Sequence, residues 1–278
     1  MSLFDKNTII ICPICLDKNE KNSFTVTRRD TYAIKNSKKA KYFICSTCGL
    51  MILDDDEKYQ DIYSDLGHYH SGDEVDPKSF IKKRFETIIN LPKDKSDNFQ
   101  RIDRINKFLN NYFKQSSSMR KNILDIGGGL GVFIYNFLKP EWSATIIEPV
   151  PSVCDHLQEI LPNVKIINGY LSDLKSNQTF DLITLNRVLE HIHDPSLILN
   201  GCQKYLKESS LLYVEVPDAL SFYNDGKNNE AFGYGHYHVY SSMSLKLLME
   251  KTGYLTLTTC QTTEPSGKFT LYGFFKKK

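Results

Sequence analysis

Beyond residue 120 the chain alternates short apolar runs with amphipathic stretches. Five runs rich in β-branched and aliphatic residues, at 121–126, 143–148, 164–168, 180–186 and 210–216, read as strands. Apolar positions in 130–138, 151–160 and 195–206 recur every three or four residues, the period of a helix with one buried face. That order predicts a parallel sheet with crossover helices, an α/β fold. A helix over 242–252 is stopped by Gly253, and runs at 256–263 and 268–275 predict a closing antiparallel hairpin. Upstream, 77–90 and 99–113 are helical in pattern, the second through Ile102, Ile105, Phe108, Leu109 and Tyr112, and should cover the sheet edge. Before residue 55 the pattern is β, with Phe24-Thr25-Val26-Thr27 and Lys41-Tyr42-Phe43-Ile44 as two arms. Three segments follow: a β module at 1–55, a linker and helical cover at 56–118, and the α/β domain at 119–278.

The first strand of the α/β domain ends in Asp125-Ile126-Gly127-Gly128-Gly129-Leu130-Gly131. Glycine is costly in a regular element, so four in five positions point to positive φ angles and close backbone approach at the mouth of the sheet. About twenty residues on, the next strand ends in Glu148, where a carboxylate in doubly wound folds accepts bonds from ribose hydroxyls. The loop lacks the Gly-Lys-Ser/Thr of a phosphate loop, and its glycines miss the dinucleotide spacing. Asp125 would repel a pyrophosphate but suits an ammonium, directly or through water. S-adenosylmethionine carries an ammonium and a ribose without phosphate.

These residues resemble the class I S-adenosylmethionine-dependent methyltransferases over about 100–275. Ile123 to Gly131 is similar to their first motif, Phe180 to Pro195 to their fourth strand and following helix, and Leu211 to Asp218 to their fifth strand. The resemblance implies a Rossmann-like seven-stranded sheet, parallel with an antiparallel last strand. It implies that Gly127 and Gly129 shape the methionine side, Glu148 holds the ribose, Asn186 contacts the amino-acid end, and Tyr170 and Leu171 frame the adenine. Gly169 is followed by Tyr170 where many members have an acid, leaving Ser172 or Asp173 for the adenine amino group.

Cys12-Pro13-Ile14-Cys15 and Cys45-Ser46-Thr47-Cys48 are two C-x-x-C knuckles separated by 29 residues. Together they complete a four-thiolate set for a structural zinc ion, with no open position for catalysis. Neither a leader nor an apolar stretch of membrane-spanning length is visible, which predicts a cytoplasmic enzyme in a reducing compartment and disfavours disulfides. Cys154, Cys202 and Cys260 read as packing residues. With 35 basic and 33 acidic side chains, a net charge of +2, there is no global field for nucleic acid.

Histidines cluster where ligands bind such sheets, in Glu190-His191-Ile192-His193-Asp194 and Gly235-His236-Tyr237-His238. His193 before Asp194-Pro195 reads as part of a helix-cap turn. His236 and His238, two apart, share a face in extended chain and could hold a metal if a third ligand were near, but a general base is the better reading. Cysteine knuckles followed by this domain are similar to zinc-containing sugar methyltransferases. By that resemblance His236 is the base, His191 the second active-site histidine and Tyr69 a pocket tyrosine, while Gly235 replaces a helper glutamate. The expected reaction is O-methylation of a sugar or surface-glycan precursor. C-methylation of a nucleotide-linked keto sugar is the alternative. An RNA-base methyltransferase would instead use Arg28, Arg29, Lys38, Lys39 and Lys41 with Tyr32 and Tyr42, and a non-catalytic zinc-ribbon adaptor is countered by the intact Asp125, glycine loop and Glu148.

Overall fold

The computed structural model describes residues 9–20, 22–27, 39–54, 76–113, 120–225, 230–233 and 235–278. Tyr69, Arg28, Arg29, Tyr32, Lys38 and most of the expected linker lie outside the described residues. The amino-terminal part comprises β1 (Ile9–Ile11), β2 (Lys18–Glu20), β3 (Ser23–Thr27), β4 (Lys39–Ile44) and β5 (Met51–Leu53). Helices α1 (Pro77–Ile89) and α2 (Asp97–Tyr112) follow. Both start on side-chain caps: Asp76 accepts the Lys78 and Ser79 amides, and Ser96 accepts that of Phe99.

The α/β domain runs β6 (Lys121–Ile126), α3 (Val132–Phe137), β7 (Trp142–Glu148), α4 (Pro151–Ile160), β8 (Lys165–Asn168), β9 (Phe180–Asn186), α5 (Pro195–Gln203) and β10 (Leu206–Pro217). It closes with α6 (Leu220–Asp225), β11 (His238–Val239), α7 (Ser242–Lys251), β12 (Tyr254–Thr263) and β13 (Phe269–Lys277). Seven strands form one sheet in the order β12-β13-β10-β9-β6-β7-β8. β8, β7, β6, β9 and β10 are mutually parallel, and β13 is antiparallel to both of its neighbours. This is the expected mixed seven-stranded sheet.

Successive strand residues point to opposite faces and feed two cores. Ile123, Leu182 and Leu211 pack with α2, α3 and α4, whereas Leu124, Ile183 and Leu212 pack with α5 and α7. Buried Cys154 and Cys202 are packing residues in this scheme.

The amino-terminal module is joined to this body more closely than its sequence suggests. Cys12, Ile14, Cys45, Cys48 and Leu50 share one core cluster with Tyr240, Leu245, Leu248 and Met249. The four-stranded sheet has the order β11-β5-β4-β3, so its edge strand comes from the carboxy-terminal half of the chain, with His238 opposite Ile52 and Val239 opposite Met51.

A buried ion network braces α2 against the sheet. Glu215, on β10, is fully buried and accepts bonds from Arg101 Nε at 2.9 Å, Arg101 Nη2 at 2.5 Å and the Tyr213 hydroxyl at 2.8 Å. Arg187 Nε and Arg104 Nη2 approach it at 3.6 and 3.8 Å, and Arg104 also pairs with Glu264. Burial alone would raise the Glu215 pKa, but the Arg101 charge and hydrogen bonds outweigh it and hold the carboxyl well below the usual range. Its stabilising contribution is therefore complete above the unfolded-state value near ~4.3 and fades as pH falls below that toward the folded value. Glu215→Gln should cost about 3 kcal/mol in denaturant unfolding at pH 7, because three guanidinium groups lose their central charge. The deficit should shrink at pH 3, and a variant as stable as the parent at both pH values would show that the network contributes nothing.

Candidate active site

Above the carboxyl ends of β6, β7 and β9, the glycine turn is tied to the sheet: the amides of Gly127 and Gly128 donate to the Ile147 carbonyl at 2.8 and 3.2 Å. Gly127, Gly129 and Gly131 have φ angles of 71°, 50° and 76°, the left-handed region that glycine tolerates. The physical reason differs in part from the expected close approach of a ligand. A Cβ at Gly127 would stand 2.7 Å from Val188 Cγ2, one at Gly128 2.3 Å from Ile146 Cγ2, and one at Gly131 2.5 Å from Leu157 Cδ2. These glycines let the turn nest on its own neighbours.

Glu148 closes β7 and is buried. Its Oε2 accepts the Gly129 amide at 2.9 Å and its Oε1 that of Val150 at 3.1 Å. Burial pushes its pKa up to about 7, against the pull of these two amides. Each oxygen retains a lone pair for a further donor, such as a ribose hydroxyl.

Asp125 does not face outward. Its carboxylate is buried and accepts from Thr184 Oγ1 at 2.6 Å and Asn186 Nδ2 at 3.1 Å. Burial raises its pKa to about 7 despite these bonds. With its amide nitrogen committed to Asp125, Asn186 is left with a buried Oδ1 that has no hydrogen-bond partner. A buried orphan acceptor is costly until a donor reaches it, and an ammonium is such a donor. Thr184, which the motif does not reveal, fixes the geometry of this pair.

Tyr170 is 60% exposed at the end of the β8 turn, and Leu171 packs near Gly201. Asp173 accepts the Tyr170 amide at 2.8 Å, so of the two side chains expected to meet an adenine amino group, Asp173 already caps its own turn. The donor set thus fits S-adenosylmethionine: a ribose-accepting carboxylate, an orphan acceptor for the ammonium and an exposed ring beside them.

The histidine segments meet next to the glycine turn. Val188, which packs on Gly127, leads into a single helical turn over Leu189–His191. His191 and His236 stand edge to face with ring centroids 4.6 Å apart. His191 Nδ1 donates to the Gly235 carbonyl at 3.2 Å and His236 Nδ1 to that of Ala231 at 2.9 Å. A carbonyl can only accept, so in the neutral rings the lone pair resides on Nε2. Glu190, missed in the sequence, lies beside them. One carboxylate oxygen and one ring nitrogen from each histidine fall within 4.8 Å of one another. Burial raises the Glu190 pKa to about 8.

His236 is therefore brought to His191 and not to His238. His238 is buried in β11 against Tyr240, and burial lowers its pKa to about 4. His193 meets Tyr237 edge to face, and Asp194 caps α5 by accepting the Ser196 amide, as the turn motif suggested. Tyr69 lies outside the described residues.

The four knuckle cysteines converge, their sulfur atoms all within 4.8 Å. Cys12 and Cys48 are 3.6 Å apart and Cys15 and Cys45 3.5 Å apart. Thiolates ~2.3 Å from a tetrahedral ion are separated by about 3.8 Å, so this spacing suits zinc. Each knuckle ends in a left-handed residue, Leu16 at φ 63° and Gly49 at φ 70°. The hydrogen bond from Cys48 pulls the Cys12 thiol down to about 5, and burial pushes Cys15 up to about 11.

A family profile described as a methyltransferase domain matches residues 96–259, more than half of the chain. The ubiquinone biosynthesis O-methyltransferase of Actinobacillus pleuropneumoniae serotype 7 is 28% identical over 142 residues, covering 47% of this chain and 61% of the relative. The chain thus spans about three-fifths of that relative's length. The 1,6-didemethyltoxoflavin-N1-methyltransferase of Burkholderia thailandensis superposes with a TM-score of 0.52 at 16% identity, covering 85% of this chain and 98% of the other. The magnesium protoporphyrin IX methyltransferase of Synechocystis PCC 6803 gives 0.53 at 12% identity, covering 72% and 96%. Identities this low establish a shared fold, and both of those structures hold S-adenosylhomocysteine. Among the described residues no helix is long and apolar enough to cross a membrane. The profile match, on the sheet order and glycine turn described above, shows that this chain belongs to the methyltransferase-domain family.

Proposed function

We propose that this protein is an S-adenosylmethionine-dependent methyltransferase acting in the cytoplasm on an oxygen of a small acceptor, a sugar or surface-glycan precursor, with His236 as general base. The observation that carries the reading is the adjacency of the His191–His236 pair to the glycine turn through the Val188–Gly127 contact. Oxygen as the atom methylated is supported by the similarity to ubiquinone biosynthesis O-methyltransferases. The sugar is supported by the resemblance to zinc-containing sugar methyltransferases, and Gly235 in place of the helper glutamate favours O- over C-methylation. Of the residues that an RNA-base reading would use, Tyr42 is buried and Lys41 pairs with Asp54, while Arg28, Arg29, Tyr32 and Lys38 lie outside the described residues. Zinc on Cys12, Cys15, Cys45 and Cys48 is structural in this scheme.

S-adenosylmethionine supplies an electrophilic methyl on sulfur. Glu148 would hold the ribose, Asn186 Oδ1 the ammonium with Asp125 behind it, and Tyr170 and Leu171 the adenine. The acceptor oxygen attacks the methyl in line, the carbon–sulfur bond breaks with its electron pair on sulfur, and His236 Nε2 takes the hydroxyl proton.

Binding of S-adenosylhomocysteine, read by calorimetry, tests the cofactor side, and Glu148→Ala should weaken it at least ~10-fold, the loss of charge-assisted bonds to two hydroxyls. Unchanged affinity would remove the clamp. Because Asp125 and Glu148 titrate near 7, an incoming ammonium should lower their pKa values and release protons around pH 6 to 7. Binding enthalpies in buffers of different ionisation enthalpy report that release. Mass spectrometry of a nucleotide-sugar, glycan-precursor and phenol panel, incubated with labelled cofactor, tests the acceptor.

A further inference from the structure

We infer that Glu190, His191 and His236 form a binding site for a divalent cation, with open positions that take the acceptor's oxygen. The inference rests on the proposed placing of the acceptor at the histidine pair, and it assigns the ionisation of the hydroxyl to a bound ion, with the His236 lone pair serving as a ligand in place of the base.

Three independent features point to a cation. The first is composition and convergence: two imidazoles and a carboxylate, drawn from the turn after β9 and the segment before β11, bring one ligand atom each within 4.8 Å. Around an ion at ~2.1 Å such atoms stand about 3.0–3.4 Å apart, a contraction within reach of small side-chain rotations. The second is the anchoring of both rings. Metal-bound histidine characteristically donates its other ring nitrogen to a carbonyl or carboxylate, and here the Gly235 and Ala231 carbonyls take that role from behind. The third is an unmet need. Glu190 is only 1% exposed and its Oε2 has no hydrogen-bond partner, although it lies beside these rings. A buried acceptor of this kind carries a desolvation penalty of ~1–3 kcal/mol or more until something positive meets it.

The segments are also held for the purpose. The Tyr237 amide donates to the Glu190 carbonyl at 2.7 Å, and the Tyr42 hydroxyl donates to the His236 carbonyl at 2.6 Å. The ligands therefore sit on backbone fixed from both sides.

This set is chemically distinct from the four thiolates. Nitrogen and oxygen donors suit borderline and hard divalent ions, and three protein ligands leave positions open, as catalytic sites do. An acceptor hydroxyl bound to the ion loses its proton to solvent more readily. The resulting oxygen anion attacks the methyl, a carbon–oxygen bond forms, and the carbon–sulfur pair stays on sulfur. With the ion in place the His236 lone pair is a ligand; without it the same lone pair is the base.

The test uses the full chain with its cysteine site loaded with zinc, titrated with Mn2+, which competes poorly for thiolates. Free Mn2+ is followed by electron paramagnetic resonance. One saturable Mn2+ per chain is expected, lost in Glu190→Gln and in His191→Asn with circular dichroism spectra unchanged. Turnover should fall at least ~10-fold after treatment with a chelator mild enough to retain zinc, checked by elemental analysis, and return with Mn2+. Absence of saturable binding to the parent protein overturns the inference, as does binding that survives both substitutions. If the parent transfers methyl with no cation bound while His236→Asn does not, the cation is excluded and the base reading stands. If Mn2+ binds as expected yet no acceptor in the panel is methylated, the site holds and the proposed function fails.

Discussion

Loss of the zinc proposed for the four cysteines, by Cys48→Ser or by a strong chelator, is expected to lower the thermal midpoint by more than ~10 °C and to leave less than about one hundredth of the turnover. Structural zinc contributes apparent binding energies of ~10–16 kcal/mol in small zinc modules, where it is the folding energy. Here the ligands share a core with α7 and the sheet, so failure of the knuckles reaches the enzyme body. Ser241 Oγ donates to the Cys48 carbonyl at 2.5 Å, and Lys251 Nζ to that of Pro13 at 3.2 Å. More consequential is the path to chemistry. β5 pairs with β11, the Leu53 amide donates to the Tyr237 carbonyl at 2.9 Å, and Tyr42 holds the His236 carbonyl. A module that unfolds releases the segment that aims His236. Affinity for S-adenosylhomocysteine should fall less than ~10-fold, since Glu148, Asn186 and the glycine turn are held by β6, β7 and β9. Scanning fluorimetry, elemental analysis and calorimetry read the three effects. A zinc-free protein from a chelator-free preparation, with the parent's midpoint, would discredit the metal.

Much of this was legible because it is local. Strand and helix periods placed β6 to β10 within a few residues, and Asp194-Pro195 marked the start of α5. The convergence of Asp125, the glycines and Glu148 was legible because short fixed intervals separate them on adjacent strands. What periodicity could not show is pairing between distant segments. Met51 opposite Val239 joins residues far apart in sequence, and a two-residue strand carries no alternation to detect. The Arg101–Glu215 pair spans 114 positions, and nothing in the β10 pattern Leu211-Leu212-Tyr213-Val214-Glu215 says which cation answers its one acid. The histidines show the same limit. Spacing put His236 on one face with His238, whereas a turn at Gly235, φ 82°, sends His236 to His191 and leaves His238 in the sheet. Glu190 could have been found: an acid beside a histidine, flanked by apolar residues, hints at a buried charge that needs a partner.

His236→Asn should reduce kcat by ~10²- to 10⁴-fold, the range lost when a positioned proton acceptor is removed. The amide keeps a donor near the Ala231 carbonyl and a similar volume, so the loop over Glu230–Phe232 should keep its shape and the thermal midpoint should shift by no more than ~2 °C. Affinity for S-adenosylhomocysteine should be unchanged, because the groups proposed to hold the ribose and the ammonium, Glu148 and Asn186, are fixed by Gly129, Val150 and Asp125. This separation of turnover from cofactor affinity is what distinguishes His236 from a residue that only supports the fold. His236→Ala gives a second readout. With the ring gone, exogenous imidazole can enter and accept the proton, and partial recovery of turnover that saturates with imidazole is expected. Tyr42→Phe leaves the ring in place but frees its carbonyl, so it should lower kcat by a smaller factor, ~3- to 10-fold, and show no rescue by imidazole. Full activity in His236→Asn would move the proton to another acceptor. His191 would then be the group to change, since its Nε2 lone pair is supplied by the same kind of backbone anchor.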